Sequence, residues 1–275
     1  MKKLIYYSSV IFFLIIVLLP IVWAIIISIT PEYEMFKNNS SLIPKDPTIA
    51  NYIEILTLSK RNSKIFITGI INSIKIALIT ILIIIPFSIM CAYSISRMNF
   101  KLKKQIKIFI LITMSIPVFT TIIPIYRIYS ILSLLDNFLA LSLVYISSFL
   151  PISVWIISNY FDTIPTEIEE AAYIDGCNKI SVIYKIMIPI SIPIIVSTFL
   201  IVFLMSWGQF QVPLILSSSA YTKPISVVTS EFVARDTIRY GLTTTAGLLA
   251  IIPPVILALI FRSFLIKGIT NGFGK

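Results

Sequence analysis

The sequence predicts an all-α membrane protein with six transmembrane helices. Hydrophobic residues make up 57% of the 275 residues, charged residues only 12%, and the mean hydropathy is +0.98. A soluble domain carries about a quarter charged residues, and a chain this apolar would expose too much hydrophobic surface to water. Six apolar runs are each long enough to cross the hydrocarbon core of a bilayer, which takes about 20 helical residues. We therefore predict a multi-pass protein of the cell membrane.

The six runs define the predicted spans, and residues 1–275 are interpreted as one membrane domain. The first run follows a basic start, Met1-Lys2-Lys3, which is also typical of a signal peptide. Its uncharged stretch from Leu4 to Pro31 is longer than a signal core and no Ala-x-Ala follows it, so we predict an uncleaved first span. The predicted spans cover residues 5–29, 68–94, 108–126, 137–160, 188–216 and 244–264.

Lysine and arginine set the predicted orientation, because short loops rich in these residues stay in the cytoplasm. The loop after the second span has five basic residues and no acid, and it is therefore predicted to be cytoplasmic. An even number of spans then puts the N- and C-termini on the cytoplasmic side. The segment 162–187 is cytoplasmic by the same count, although it has five acids and two lysines. The five basic residues of the loop are Arg97, Lys101, Lys103, Lys104 and Lys107.

The residue types present exclude several kinds of chemistry. The chain has no histidine, which rules out His-based metal sites and triads, and its two cysteines allow no zinc spacing. Its net charge of +10 lies between apolar runs and not on the aromatic-interleaved face of a nucleic-acid binder. The chain lacks the phosphate-binding pattern G-x-x-x-x-G-K-[ST], so we expect no cofactor and no enzymatic site in it. The spans carry no Asp or Glu near their middles, which counts against carriers driven by protons or sodium.

The segment 162–187 is predicted to form a helix, a turn and a second helix on the cytoplasmic surface. Pro165 ends the preceding helix, Thr166 and Glu169 fit a capping box, and Gly176 permits the turn. The small residues of the segment allow close approach by a partner. The alternative is a solvated loop with chance helical spacing. Two predicted packing stripes at helical spacing are formed by Ile168, Ala171, Ala172 and Asp175, and by Ile180, Ile183, Tyr184 and Met187.

The order of residues in this segment resembles the cytoplasmic loop of permease subunits of binding-protein-dependent ABC importers. Glu-Ala-Ala occupies residues 170–172, Gly176 follows, and Ile-Met-Ile-Pro occupies residues 186–189. Nearly the whole chain is similar to the maltose/glycerol-phosphate, or carbohydrate, class, and the tail Lys267–Gly272 resembles the smaller, six-span subunit. Three residues depart from the pattern, namely Ile188 for leucine, Cys177 for alanine and Gln209 for an acid. Further matches lie at residues 72–73, 92–97, 114–117, 164–176, 207–210 and 213–214.

The resemblance implies the translocation-pathway subunit of an ATP-driven carbohydrate importer. This chain and a second homologous permease would form the pore, and each would place a coupling helix in a groove of one of two ATP-binding subunits, which bind ATP and Mg. An extracytoplasmic solute-binding protein would deliver the substrate. Glu170 would pair with a basic residue of the groove, and Gly176 would set the turn. The residues implied in ATPase coupling are Glu169, Glu170, Ala171, Ala172, Asp175, Gly176 and Pro189.

Aromatic and neutral polar residues near the outer end of the fifth span are candidates for substrate contacts. Sugar sites stack sugar faces on aromatic rings and use neutral hydrogen-bonding groups. The alternative interpretation is interfacial anchoring, because Trp and Tyr are enriched at membrane boundaries. The candidate substrate-pathway residues are Tyr145, Trp207, Gln209, Phe210 and Gln211.

Two other classes of function stay open at this point. A self-sufficient secondary carrier or channel predicts transport by the purified chain alone, and the absence of carboxylates from the middle of the spans argues against it. A membrane protein outside transport, such as an assembly factor or sensor, would leave the acidic segment 162–187 without an ATPase partner.

Overall fold

The computed structural model describes residues 2–36, 42–58, 60–234 and 239–264. Within these ranges the regular structure is helical throughout and no strand is formed, which confirms the predicted all-α fold. The tail Lys267–Gly272, whose sequence resembles that of the smaller permease subunit, lies outside the described residues. The helices, in chain order, are α1 (Lys2–Ile29), α2 (Glu32–Met35), α3 (Ala50–Leu56), α4 (Arg61–Arg97), α5 (Lys103–Met114), α6 (Val118–Ile131), α7 (Phe138–Thr163), α8 (Glu167–Ile174), α9 (Lys179–Val182), α10 (Ile188–Ile190), α11 (Ile192–Gly208), α12 (Gln211–Leu216), α13 (Ile225–Ala234) and α14 (Tyr240–Ile260).

Among the described residues, four helices, or five if one bent pair counts as a span, are long and apolar enough to cross a membrane, and they coincide with predicted spans. Four of these spans are single helices, namely α1, α4, α7 and α14. The fifth predicted span falls on a broken pair, Lys179–Ile190 and Ile192–Gly208, whose parts meet at an angle of 77°. Side chains along α1 are exposed over most of its length, as expected for a helix whose surroundings are lipid or another subunit.

The predicted third span, residues 108–126, is not a single helix. α5 ends at Met114 and α6 begins at Val118 after Pro117, so two helices of 12 and 14 residues occupy this region. The physical reason is that Pro117 has no N–H to continue the hydrogen-bond ladder and disfavours helical geometry in the residue before it.

The chain divides into two compact units, Met1–Ile70 with Ile225–Ile252 and Ile71–Pro224 with Pro253–Lys275. Several polar contacts join segments of the first unit. The guanidinium of Arg239 donates two hydrogen bonds to Glu54, at 2.8 and 2.9 Å. Asn51 is buried and donates to the carbonyl of Ser28 at 3.0 Å. These bonds tie α3 to residues on either side of it in the sequence.

The second unit contains the apolar cluster that positions the segment 162–187. Residues of α4 and α7 meet residues of the segment between α7 and α11 in one buried group. α7 also packs against α5 and α11. The segment is therefore attached to the spans by its own buried side chains. The most buried members of the group are Ala92, Ile157, Phe161, Val182 and Met187.

Candidate functional site

The segment 162–187 forms the predicted helix–turn–helix. α8 begins after Pro165 and Thr166, and Gly176 has a left-handed φ of +84° after the helix ends. Asn178 caps α9 by accepting a hydrogen bond from the backbone N–H of Ser181 at 2.8 Å. The second helix is irregular, in contrast to α8. After Val182 it continues as a π-helical turn, Ile183–Met187, and it reaches the fifth span through α10.

The predicted capping box is not formed. The side chain of Thr166 makes no capping hydrogen bond. The carboxylate of Glu169 turns inward and pairs with Arg97, whose Nε lies 2.5 Å from Oε1. The guanidinium of Arg97 offers this carboxylate a full positive charge in a buried setting, whereas the backbone N–H of the cap offers only a partial one, which explains the different outcome.

Glu169 and Arg97 are the centre of a buried polar cluster at the C-terminal end of α4. Their side chains are only 6% and 11% exposed. Tyr93 donates a hydrogen bond to Oε2 of Glu169 at 3.2 Å, and its hydroxyl lies 3.1 Å from that of Tyr173. Arg97 also donates from its terminal nitrogen to the carbonyl of Ile164 at 2.6 Å. One arginine therefore joins the end of α4 to the end of α7 and to α8.

A cavity of about 350 Å³ adjoins this cluster. Its wall carries both signs of charge, with Arg97 and Lys179 near Glu169 and Glu170. Tyr93 and Tyr173 add aromatic surface. Both glutamates line the cavity, but Glu169 is buried and Glu170 is exposed.

The inward face of the segment differs from the predicted stripes. Ala172 and Met187 are buried, as expected, but Val182 is also fully buried. Ile168 is exposed and Ile180 is 66% exposed, so these two residues do not pack the segment against the rest of the chain. The predicted stripes therefore hold the segment through Ala172, Ile183 and Met187 but not through Ile168 and Ile180, and Glu169 joins Ala172 on the buried side of α8 at i, i+3 spacing.

The outward face of α8 combines acids with a protruding apolar side chain. Glu170, Ala171 and Asp175 are exposed, and Ile174 is 86% exposed. Pro189, the last of the residues implied in coupling, is exposed in α10. The residues singled out for coupling therefore lie on one continuous segment, and Glu169 and Ala172 are the two that face the interior.

A second polar group holds the start of the segment. Asp162 accepts a hydrogen bond from Lys107 at 2.8 Å and another from Ser96. Lys103 donates to the carbonyl of Ser96 at 2.9 Å. Of the lysines that set the predicted orientation, Lys107 therefore binds the end of α7 and Lys103 the end of α4, roles that the sequence pattern gave no sign of.

The candidate substrate-pathway residues lie on two packed elements. Tyr145 is 1% exposed in α7, where its ring lies 5.6 Å from that of Phe149. Trp207 is buried near the end of α11 and stacks on Phe203 at 5.5 Å. α11 and α7 pack against each other, and α12 packs against α7 and α6. Tyr145 is therefore a core residue with a buried hydroxyl.

The remaining pathway candidates lie at a break in the fifth span. α11 ends at Gly208 and α12 begins at Gln211, so Gln209 and Phe210 link the two helices. Oε1 of Gln209 accepts a hydrogen bond from the backbone N–H of Phe210 at 3.1 Å, and the side chain of Phe210 is exposed. A helix break of this kind presents backbone and side-chain polar groups inside an apolar span, which is tolerated where protein or a water-filled cavity surrounds it.

Asp136 is a functional candidate that the sequence pattern does not single out. It lies between α6 and α7 and accepts hydrogen bonds from the backbone N–H groups of Ser218 and Ser219 and from the hydroxyl of Thr222. Burial raises the pKa of this carboxyl, but the bonds from Ser219, Thr222 and Ser218 outweigh burial and hold the pKa below its ordinary value. The donors lie more than eighty residues away in the sequence, and no local motif connects them with Asp136.

Comparison with known proteins identifies the family. The family described as "Binding-protein-dependent transport system inner membrane component" matches residues 84–271, which include the helix–turn–helix segment and the broken fifth span. The chain belongs to this family of ABC importer permeases, and it is a multi-pass membrane protein.

Curated relatives match over nearly the whole chain. The "Trehalose/maltose transport system permease protein MalG" of Thermococcus litoralis is 29% identical over 99% of this chain and 96% of its own. The "Sulfoquinovosyl glycerol transport system permease protein SmoH" of Agrobacterium fabrum is 27% identical over 93% and 88%. A "Putative ABC transporter permease protein ORF2" of a Caldicellulosiruptor species is 30% identical over 93% and 91%.

Two solved structures share the fold. A bacterial ABC transporter involved in the import of the acidic polysaccharide alginate gives a TM-score of 0.77 at 19% identity, covering 95% of each chain. A bacterial alginate ABC transporter in complex with an alginate pentasaccharide-bound periplasmic protein gives 0.68 at 16% identity, covering 95% of this chain and 92% of that one. At these identities the likeness extends to the fold alone.

Proposed function

We propose that this chain is the translocation-pathway subunit of an ATP-driven carbohydrate importer, and that its segment 162–187 couples ATP hydrolysis in a partner to movement of the spans. The observation that carries the proposal is the two-sided construction of α8. Its outer side presents Glu170, Asp175 and the 86% exposed Ile174, whereas its inner side is held by the buried pair of Glu169 and Arg97. A surface of this kind has an apolar centre and charged surroundings, as protein interfaces do.

The coupling step follows from this construction. An ATPase subunit would receive Ile174 in an apolar groove and would pair a basic residue with Glu170. Displacement of α8 would pass to α4 and α7 through Arg97, which contacts both Glu169 and the carbonyl of Ile164. Buried, hydrogen-bonded contacts transmit displacement better than exposed ones, because burial leaves few alternative arrangements of the side chains.

The remaining parts of the importer lie in other chains. We propose two ATP-binding subunits that hold ATP and Mg, a second homologous permease and an extracytoplasmic solute-binding protein. We propose that the segment 162–187 and both termini lie on the cytoplasmic side, which the basic loop containing Lys103 and Lys107 supports. No cofactor is proposed for this chain.

The carbohydrate class of substrate rests on the relatives and on the break in the fifth span. Several relatives are named for transport of sugars or sugar derivatives, among them trehalose, maltose and arabinooligosaccharides. Gln209 and Gln211 supply neutral hydrogen-bonding groups beside the exposed ring of Phe210. We propose that these three residues line the substrate pathway, with Trp207 and Tyr145 supporting them from the packed interior.

Purification of the tagged chain from its native membranes tests the coupling role. The expected result is a complex that contains an ATPase subunit and a second permease, identified by mass spectrometry, and that hydrolyses ATP faster when the solute-binding protein is added. Sugar uptake by the purified chain alone would instead support a self-sufficient carrier. A chain that is isolated without an ATPase under gentle detergent conditions would favour an assembly or sensor role.

Uptake by the complex in proteoliposomes tests the substrate pathway. We expect Gln211→Ala to lower uptake of the transported sugar about two- to tenfold, which is the effect of losing one or two neutral hydrogen bonds. Gln105→Ala is the matched control, because Gln105 is an exposed glutamine in α5, outside the proposed pathway. Equal uptake by the two variants would remove Gln211 from the pathway.

A further inference from the structure

Asp136 anchors the end of α12 from the turn between α6 and α7. Its backbone is in the left-handed region, with φ of +57°, and its N–H donates to the carbonyl of Leu216 at 3.1 Å. Leu216 is the last residue of α12, so this bond satisfies a carbonyl that the helix itself leaves unpaired. Aspartate adopts this backbone conformation more readily than most residues.

The carboxylate of Asp136 fixes the turn that follows α12. Its Oδ1 accepts from the N–H of Ser218 at 2.7 Å, from the N–H of Ser219 at 2.8 Å and from the hydroxyl of Thr222 at 2.7 Å. Bonds to an ionised acceptor are shorter and about twice as strong as bonds between neutral groups. A single side chain therefore holds both ends of this turn.

Asn72 holds the same turn from α4. It is 2% exposed, and its Nδ2 donates to the carbonyl of Lys223 at 3.0 Å. A longer contact of 3.5 Å reaches the carbonyl of Ala220. Residues 217–223 are thus held by one side chain from the turn between α6 and α7 and one from α4, and the position of α12 is set at its C-terminal end.

We propose that Asp136 is a positioning residue of the translocation pathway, acting through α12 on Gln209, Phe210 and Gln211. α11 packs against α7, and only Gln209 and Phe210 separate its last residue from the first residue of α12. Because the link is so short, its geometry is set by where the two helices are held. Asp136 holds one of them. The proposal rests on the function proposed above, in which residues 209–211 line the pathway.

The mobility of α12 can be measured with a spin label in the absence of sugar. A nitroxide label is placed at Leu214→Cys, on the exposed side of α12, in a Cys91→Ser/Cys177→Ser chain within the assembled complex. We expect Asp136→Ala to increase the mobility of this label, and Asp136→Asn to preserve most of its restriction, because asparagine keeps the accepting oxygen. A label at Leu139→Cys, at the exposed start of α7, is the control and should be unaffected.

Transport kinetics distinguish a change in the position of α12 from a change in how tightly the solute-binding protein binds. With saturating substrate-loaded binding protein, Asp136→Ala should lower the maximal transport rate about tenfold, because the three hydrogen bonds that its carboxylate accepts are lost together. The concentration of binding protein that gives half-maximal transport should stay the same, and Asp136→Asn should restore at least half of the rate. Arg127→Gln, which also changes one exposed charge nearby in the sequence, should transport normally.

Each outcome bears on one proposal. Normal transport by Asp136→Ala, or a mobile label with an unchanged rate, would overturn the positioning role and leave the importer role intact. Failure of the unsubstituted complex to take up sugar would overturn the importer role itself. If Asp136→Ala does not assemble, Thr222→Val removes one donor alone and should lower the maximal rate about two- to fivefold; an unchanged rate would also overturn the positioning role.

Discussion

Arg97 and Glu169 form a buried ion pair across 72 residues of sequence, with Nε and Oε1 2.5 Å apart and about nine-tenths of each side chain buried. Such a pair gains little over an apolar pair of similar volume, because both charges lose their hydration. Removing one partner is different, since the other charge then stays buried without compensation. The pair is therefore better explained by where it places α8 than by the stability it adds.

Arg97→Ala should lower the free energy of unfolding by about 3–5 kcal/mol, the usual cost of breaking a buried pair from one side. Arg97→Met combined with Glu169→Leu should recover most of that loss while ATP hydrolysis becomes poorly coupled to transport. Denaturant unfolding in detergent and the ratio of sugar transported to ATP hydrolysed measure the two effects. Full coupling in the stable double variant would show that the pair is dispensable for positioning α8.

Glu170→Ala should lower the ratio of transport to ATP hydrolysis, because the variant loses the exposed charge proposed to pair with the ATPase groove. The loss of one interfacial charge-assisted bond predicts a decrease of about tenfold. Glu167→Ala is the control, since Glu167 is an exposed acid in the first turn of the same helix. Similar decreases in both variants would point to general charge on α8 and not to a specific contact of Glu170.

Gly176→Ala should destabilise the protein by about 1–2 kcal/mol, because an L residue at a φ of +84° is strained. A Cβ at this position would meet no atom within 4 Å, so the backbone alone accounts for the cost. Gly176→Asn should cost less and Gly176→Pro more. Gly247→Ala, in α14 and also free of contacts within 4 Å, should be neutral or stabilising by up to about 1 kcal/mol. Thermal unfolding of the four variants gives the order.

Protonation of Glu54 should lower the stability of the protein at acid pH. Hydrogen bonds from Arg239 hold the pKa of this carboxyl below its ordinary value of 4.5, against the opposing effect of burial. A pKa lowered in the folded state adds stability above the unfolded value, and this stability is lost as the pH falls through the folded pKa. Glu54→Gln should therefore flatten the decline of the unfolding temperature below about pH 4.5, whereas Asp46→Asn, at an exposed acid, should leave it steep. Parallel declines in both variants would contradict this assignment.

The sequence predicts those parts of the fold that depend on residues close together in the chain. Hydropathy locates α1, α4, α7 and α14 because a span is a local property of about 20 residues. The break at residues 115–117 was also present in the sequence as Ser-Ile-Pro, but the apolar run on both sides concealed it. Its effect depended on Pro117 and not on mean hydropathy.

The same distinction between local and long-range interactions applies to the candidate site. The position of the helix–turn–helix and the turn at Gly176 are local and were predictable. The partner of Glu169 was not, because its capping bond to the nearby backbone competes with Arg97, which only the fold brings close. Asp136 gave no local signal at all, since its carboxylate bonds to residues on the far side of the fourth and fifth spans in sequence.

In the coupling mechanism proposed above, the bend at Ser191 sets the direction in which the fifth span would move. The π-helical turn Ile183–Met187 and α10 lead into α11 at 77°, close to a right angle. A displacement along the axis of Lys179–Ile190 is therefore nearly perpendicular to the axis of α11. α11 would swing about the corner instead of sliding lengthwise, so the largest excursion would occur at its far end, where Gly208 and Gln209 lie.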